Sequence, residues 1–287
     1  DSVKGKFSVT NPNYKNSDKS LYLSAEAIEN DNYKTYGYKS NKTGLTVGTN
    51  FEYLNNFNLG IGSSNFYEVI KTNSTASEAQ QKQEGSYWDS FLNLDFDYDK
   101  RNQKFQTSSG FKSFYSIDIP IVSDNNTLKN FYNYSHYFDL FEKNVSNISI
   151  MLQAANSITN KDIKLSERIN IPSSRLRGFE SGRVGPKDGD DYIGGNFASS
   201  INFSSTIPQF FQESQNVDFL LFIDVANVWG VDYDSSIDDN GSIRSSTGIA
   251  LDWYSPIGPL NFSLAYPISK KNSDKTETFR FNLGTTF

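Results

Sequence analysis

The chain has 287 residues, with 27 Lys and Arg against 33 Asp and Glu, and no cysteine. A net charge of −6 gives nucleic-acid binding no electrostatic support, and the missing cysteines exclude disulfides and thiolate metal sites. The length fits one large all-β domain or two ordinary ones, and 23 Phe, 17 Tyr and 3 Trp make this polar chain unusually aromatic.

Apolar and polar residues alternate with period two from end to end, and helical periodicity is nearly absent. The alternation predicts about 13 strands, near residues 2–10, 20–29, 43–54, 56–68, 86–99, 107–121, 130–141, 145–156, 195–207, 216–229, 242–254, 259–269 and 276–287. In "DSFLNLDFDYDK", Asp89, Asn93, Asp95, Asp97 and Asp99 share one face, opposite Leu92, Leu94, Phe96 and Tyr98. In "GFKSFYSIDIPIV", Phe111, Tyr115, Ile117, Ile119 and Ile121 oppose Lys112, Ser116 and Asp118. Further on, "GPLNFSLAYPIS" sets Leu260, Phe262, Leu264, Tyr266 and Ile268 against Asn261, Ser263 and Ala265. The last segment, "TETFRFNLGTTF", puts Phe279, Phe281, Leu283 and Phe287 on one face and Arg280, Asn282 and Gly284 on the other.

A soluble β-sandwich alternates too, and composition alone favours it. Connection lengths tip the reading to an antiparallel transmembrane β-barrel. Short links at "NPNYKNSDKS", "LNN", "EKNV", "PQFFQESQ" and "SPIGP" interleave with long ones near 30–42, 69–85, 157–194 and 230–241. Short turns at one end and long loops at the other are the layout of an outer-membrane barrel. Trp229, Trp253 and Tyr254 fall at strand ends, where interfacial rings belong. No run reaches the roughly 18 to 20 apolar residues of a spanning helix. Without an initiator Met or leader pattern, a mature chain or an excised piece is expected.

One stretch stands apart: "RLRGFESGRVGPKDGDDYIGGN", residues 175–196. Its glycines do not have the G-x-x-x-x-G-K-[ST] spacing of a phosphate-binding loop, and no helix pattern follows. The motif "LRGF" (Leu176, Arg177, Gly178, Phe179), with "GPK" at 185–187 and "GGN" at 194–196, resembles the sixth extracellular loop of the BamA family. These are the outer-membrane barrel-assembly factors of the POTRA-plus-barrel insertase superfamily. The similarity continues through "DVANVW", "STGIALDWYSPIGPLNFSLAYPI" and "ETFRFNLGTTF" and is dense from about residue 172 onward. Upstream, "FSVTNP" at 7–12 looks like the family's fourth barrel strand.

The resemblance implies the C-terminal part of a barrel of about 16 strands, over residues 1–287, with the first strands and the POTRA domains absent. It implies that loop 157–194 folds into the lumen, that Arg177 pairs with the wall acid Asp224, and that Ser204 stands where relatives often carry a second wall acid. Physical chemistry supports such a pairing on its own, since a partly desolvated guanidinium is costly without a partner. Gly178 allows a tight turn, and Phe179 can bury its ring against the wall.

Function follows by implication: assembly of β-barrel proteins in the bacterial outer membrane, without enzymatic chemistry, at a lateral seam. The seam strand would run from Thr276 to Phe287 and include Phe279, Phe281, Leu283, Gly284 and Phe287. Implied partners are the lipid bilayer, unfolded β-barrel clients and, through the absent POTRA domains, periplasmic lipoprotein subunits. No cofactor or metal is expected. A two-partner secretion transporter of the same superfamily and a diffusion porin are the alternatives. The one histidine, His136 in "NYSHYFD", reads as a packing or lumen residue, and no serine sits in a G-x-S-x-G elbow.

Overall fold

A computed structural model describes residues 2–207, 216–239, 241–256 and 258–283. The strands are β1 (Ser2–Asn11), β2 (Ser20–Asn32), β3 (Tyr38–Leu54), β4 (Phe57–Thr72), β5 (Gly85–Asp99), β6 (Gly110–Ser123), β7 (Thr127–Phe138), β8 (Ser146–Ser157), β9 (Lys187–Asp188), β10 (Asp191–Tyr192), β11 (Phe197–Thr206), β12 (Val217–Trp229), β13 (Arg244–Ser255), β14 (Gly258–Ser269) and β15 (Phe279–Leu283). Thirteen of them form one antiparallel sheet in sequence order, with β9 and β10 left out as a small hairpin between β8 and β11. The protein is all-β, and among the described residues no helix is long and apolar enough to cross a membrane.

The sheet curls around the β8–β11 connection. Lys164 of that connection touches β4 and β5, while Arg177, thirteen residues on, touches β12. Alternation then assigns the two faces. Outward, Phe7, Leu23, Leu45, Ile61, Leu152, Leu221 and Leu264 are exposed, as residues against hydrocarbon should be. Inward, Asp95, Asp97 and Lys112 face the lumen, where Lys112 pairs with Asp97 at 3.1 Å.

Aromatic rings form a ladder on the outer face toward the short-turn end. Phe57 meets Tyr98 with ring centres 6.1 Å apart, Tyr98 meets Phe111 at 5.5 Å, and Phe111 meets Tyr134 at 6.0 Å. His136 stacks between Tyr134 and Phe138 in this ladder. It therefore faces outward, not into the lumen, because Ser135 and Tyr137 take the inward positions. Trp253 is likewise outward, but Tyr254 lines the lumen, so only the first of that pair is an interfacial ring.

Three connections differ from the sequence expectation. The supposed long loop at 30–42 is a tight link, residues 33–37, in which Gly37 takes φ +73°. β2 and β3 continue as a paired ribbon up to Asn32↔Tyr38, through a stretch whose polar side chains hide the alternation. The β5–β6 turn, on the short-turn side, is a ten-residue loop held by Asn102, which bonds Ser108 and Ser109. Opposite it, β6 and β7 join through only residues 124–126.

The last strand starts at Phe279 rather than Thr276, since Thr276 bridges Phe179 instead of β14. Its described part pairs with β14 over Leu260↔Leu283 to Leu264↔Phe279, with the Phe262 and Phe281 rings tilted against each other, centres 5.0 Å apart. Gly284 and Phe287 lie outside the described residues.

Candidate functional site: the lumen loop and its wall anchors

The connection between β8 and β11 fills the upper lumen. Leu176 and Phe179 are almost wholly buried, packed with Ile171, Val184, Ala198, Ala226 and Val228. Burying a ring such as Phe179 contributes on the order of 2 to 3 kcal/mol, so the loop docks by a small apolar core of its own. Gly178 makes the turn between the two anchors at φ +88°, and a Cβ there would lie 3.0 Å from the Ala265 side chain.

Arg177 points at the wall. Its Nε and Nη2 donate to Asp224 Oδ2 and Oδ1 at 2.8 and 2.7 Å, and its backbone N–H donates to Oδ2 at 3.0 Å. The guanidinium also lies over the Phe222 ring, 3.5 Å from its centre. Asp224 is fully buried, and a planar fork on a carboxylate is the arrangement that repays such desolvation.

The wall residue beside Asp224 is Asn202, which faces it in the β11–β12 register and donates to Oδ1 at 2.8 Å. Ser204, the position counted from the sequence, pairs with Phe222 and lies lower on the cavity wall. The second wall group is thus a neutral amide and not an acid.

Beyond Gly178 the loop hydrogen-bonds to the lead-in of β15. Glu277 N donates to Gly178 O at 3.1 Å, Glu180 N to Lys275 O at 3.0 Å, and Lys275 N to Arg183 O at 3.1 Å. Arg280 of β15 then donates through Nη2 to Phe179 O at 2.8 Å. The motif on one side grips the wall and on the other forms a short ribbon with the last strand.

Three further ion-pair anchors were not read from the sequence. Lys164 is buried against Glu68 of β4, at 3.3 Å, and Asp89 of β5, with Glu167 at 3.7 Å. Around it, Ser166 Oγ donates to Glu68 at 2.8 Å, Lys129 pairs with Glu167 at 2.8 Å, and Leu165 N donates to Gln83 Oε1 at 3.0 Å. Burial opposes the Lys164 ammonium, but Glu167, Glu68 and Asp89 outweigh it and hold its pKa above the usual lysine range. Burial likewise opposes the Glu167 carboxylate, and Lys129 and Lys164 outweigh that, holding its pKa below the ordinary one.

Arg168 pairs with Asp232 and donates to Asn196 Oδ1 at 3.1 Å. Arg244 of β13 forks onto Asp274 at 3.0 and 3.1 Å and reaches Asn227 at 3.0 Å, fixing the β14–β15 connection. The partners of Lys164 lie 75 and 96 residues away in the chain, and alternation gives the face of a residue but not its height in the barrel.

Below the loop lies a cavity of about 1300 Å³, reaching, among the described residues, residues 104–107 and 141–143 at the short-turn end and closed above by Arg175, Arg177 and Asn202.

The Omp85 superfamily domain matches the whole chain, residues 1–287. The outer membrane protein assembly factor BamA of Neisseria meningitidis is 34% identical over 142 residues, which cover 39% of this chain and 17% of that protein. The crystal structure of BamA from Haemophilus ducreyi lacking POTRA domains 1–3 superimposes with a TM-score of 0.87 at 26% identity, covering 98% of this chain and 61% of that one. CdiB from Acinetobacter baumannii shares the fold, with a TM-score of 0.62 at 12% identity over 98% of this chain and 50% of that one. The chain thus spans less than two thirds of each of these relatives.

Proposed function

Because the chain belongs to the Omp85 superfamily and forms an outer-membrane β-barrel, we propose that it is the barrel portion of an insertase. In this reading it catalyses folding and insertion of other β-barrel proteins by templating, without enzymatic chemistry. One observation carries the reading: the lumen loop joins the fixed wall at Asp224 to the last strand, at Thr276 of its lead-in and Arg280 of β15 itself. The loop is therefore placed to hold the end of the sheet in register while its outer edge exchanges partners.

An edge strand presents N–H and C=O groups that find no water in lipid. A client strand satisfies them by adding to the sheet. The described part of β15 pairs with β14 from Leu260↔Leu283 to Leu264↔Phe279. Periplasmic lipoprotein subunits are proposed as partners on the resemblance alone.

The fold shared with CdiB supports a second reading, a transporter for one dedicated secreted polypeptide. A diffusion porin is less well supported, because Leu176 and Phe179 and their apolar neighbours occupy the upper lumen.

Site-directed crosslinking separates these. A cysteine at Leu283 of the natural-length protein should form disulfides with cysteines in the last strand of several unrelated barrel clients during assembly. Capture of one secreted polypeptide and of no barrel strand would favour the transporter, and no capture of either would remove the seam model.

A further inference from the structure

The charges around Asp224 do not cancel. Its two oxygens already accept four hydrogen bonds, three from Arg177 and one from Asn202. Arg175, two residues before Arg177, reaches the same wall and finds only neutral oxygens. Its Nη2 donates to Asn133 Oδ1 at 2.6 Å, and its Nη1 to Ser149 Oγ at 2.5 Å and, more loosely, to Asn202 Oδ1 at 3.4 Å. Among the described residues Arg175 forms no ion pair. Two guanidiniums share one carboxylate, which leaves one positive charge uncompensated in a partly desolvated place. Burial pushes the Arg175 pKa down, with only the already engaged Asp224 and Tyr137 acting against it.

That surplus charge forms part of the closed end of the lumen cavity. Arg101 and Lys112 on the lining are matched in place, by Asp99 at 2.7 Å and by Asp97 at 3.1 Å, and Lys104 and Lys143 belong to the connections at the short-turn end, away from Arg175. The carboxylates of Asp218 and Asp252 belong to the mouth end of β12 and β13, and Asp252 is bonded by Asn261. A cavity of about 1300 Å³ is far larger than a lone anion needs, and Phe114 and Phe131 give its wall apolar surface beside the polar groups. Among the described residues the lining runs down to the short-turn end at residues 104–107 and 141–143.

We infer that Arg175 is a carboxylate-binding site at the closed end of the lumen, taking the terminal or side-chain carboxylate of a polypeptide segment that enters from the short-turn end. A guanidinium is suited to this, since its fork matches a carboxylate and is held ready by Asn133 and Ser149. The inference rests on the reading of this barrel as an insertase that handles client polypeptides.

The test is calorimetric titration of the natural-length protein in nanodiscs with the N-acetylated decapeptide TFRFNLGTTF, whose only carboxylate is its terminus. The free acid should bind about tenfold tighter than the C-terminal amide, the gain of one charge-assisted contact. Arg175→Gln should abolish that preference. Asn133→Asp, which places a carboxylate against Arg175 Nη2, should abolish it too, at equal or higher Tm, so that loss of binding is not loss of fold.

Equal binding of acid and amide, or an unchanged preference in both variants, would overturn the inference. Acetate displacing the peptide at equal concentration would reduce the site to one for small anions and overturn the polypeptide claim. Barrel-folding activity is scored separately. Lost acid preference with intact activity removes the role of Arg175, whereas retained preference without activity removes the insertase reading.

Discussion

Arg177 and Asp224 are joined three times over, by two parallel side-chain contacts of 2.8 and 2.7 Å and by the arginine's own backbone N–H at 3.0 Å. The acid is fully buried and the arginine side chain is 15% exposed. Removing one partner of such a pair leaves the other charge unpaired, which costs about 3 to 5 kcal/mol. We expect Arg177→Ala and Asp224→Ala each to lower stability by that order, and the double variant to cost little more than either single one. Urea unfolding of all four proteins in one double-mutant cycle checks this, and additive losses would separate the two residues energetically.

Arg177→Lys tests the fork. A lysine keeps the charge but has a single point of attachment. Stability should recover only in part relative to Arg177→Ala, and proteolysis at Arg183 should remain faster than in the unaltered protein. Full recovery would mean that charge alone holds the loop.

Gly178 and Gly189 form a matched pair for backbone substitution. Both have positive φ, +88° and +59°, but an added Cβ at Gly178 would press on Ala265 at 3.0 Å, while Gly189 has nothing within 4 Å. Alanine at Gly178 should cost about 1 to 3 kcal/mol and at Gly189 about 1 kcal/mol. Thermal unfolding of the two variants compares them directly, and equal losses would contradict the close packing of the motif against β14.

The second anchor predicts a pH profile. Glu167 has a depressed pKa, so its contribution is complete above the unfolded carboxylate value, about 4.3, and is lost as pH falls through the lower folded value. Lys164 has a raised pKa, so its contribution is complete below about 10.4 and is lost only as pH climbs past the still higher folded value. Loop protection from protease should therefore be level from about pH 5 to 10 and fall only in stronger acid or base. Lys164→Met, which strands Glu68 and Asp89, should expose the loop throughout that range, and unchanged protection would deny the anchor.

The strands were legible because inward and outward positions obey one rule along the whole chain. Asp89, Asp95 and Leu94, Phe96 were sorted to opposite faces by alternation alone, and the register places them so. The rule fails above the membrane, where residues 30–42 are polar on both faces and look like loop although β2 and β3 remain paired. The motif named Arg177 and Asp224, whose contact the structure displays, but counting along β11 reached Ser204 when the register sets Asn202 against Asp224. The Lys164 and Arg244 anchors left no local trace, for each joins a loop to residues far away in the chain.

The most direct test of the account is the rate at which a urea-unfolded outer-membrane barrel folds into phospholipid vesicles that contain the natural-length protein. The account predicts faster folding than in empty vesicles, and a much smaller gain when Asp224→Ala frees the loop that braces the last strand. Equal rates with and without the protein would contradict it.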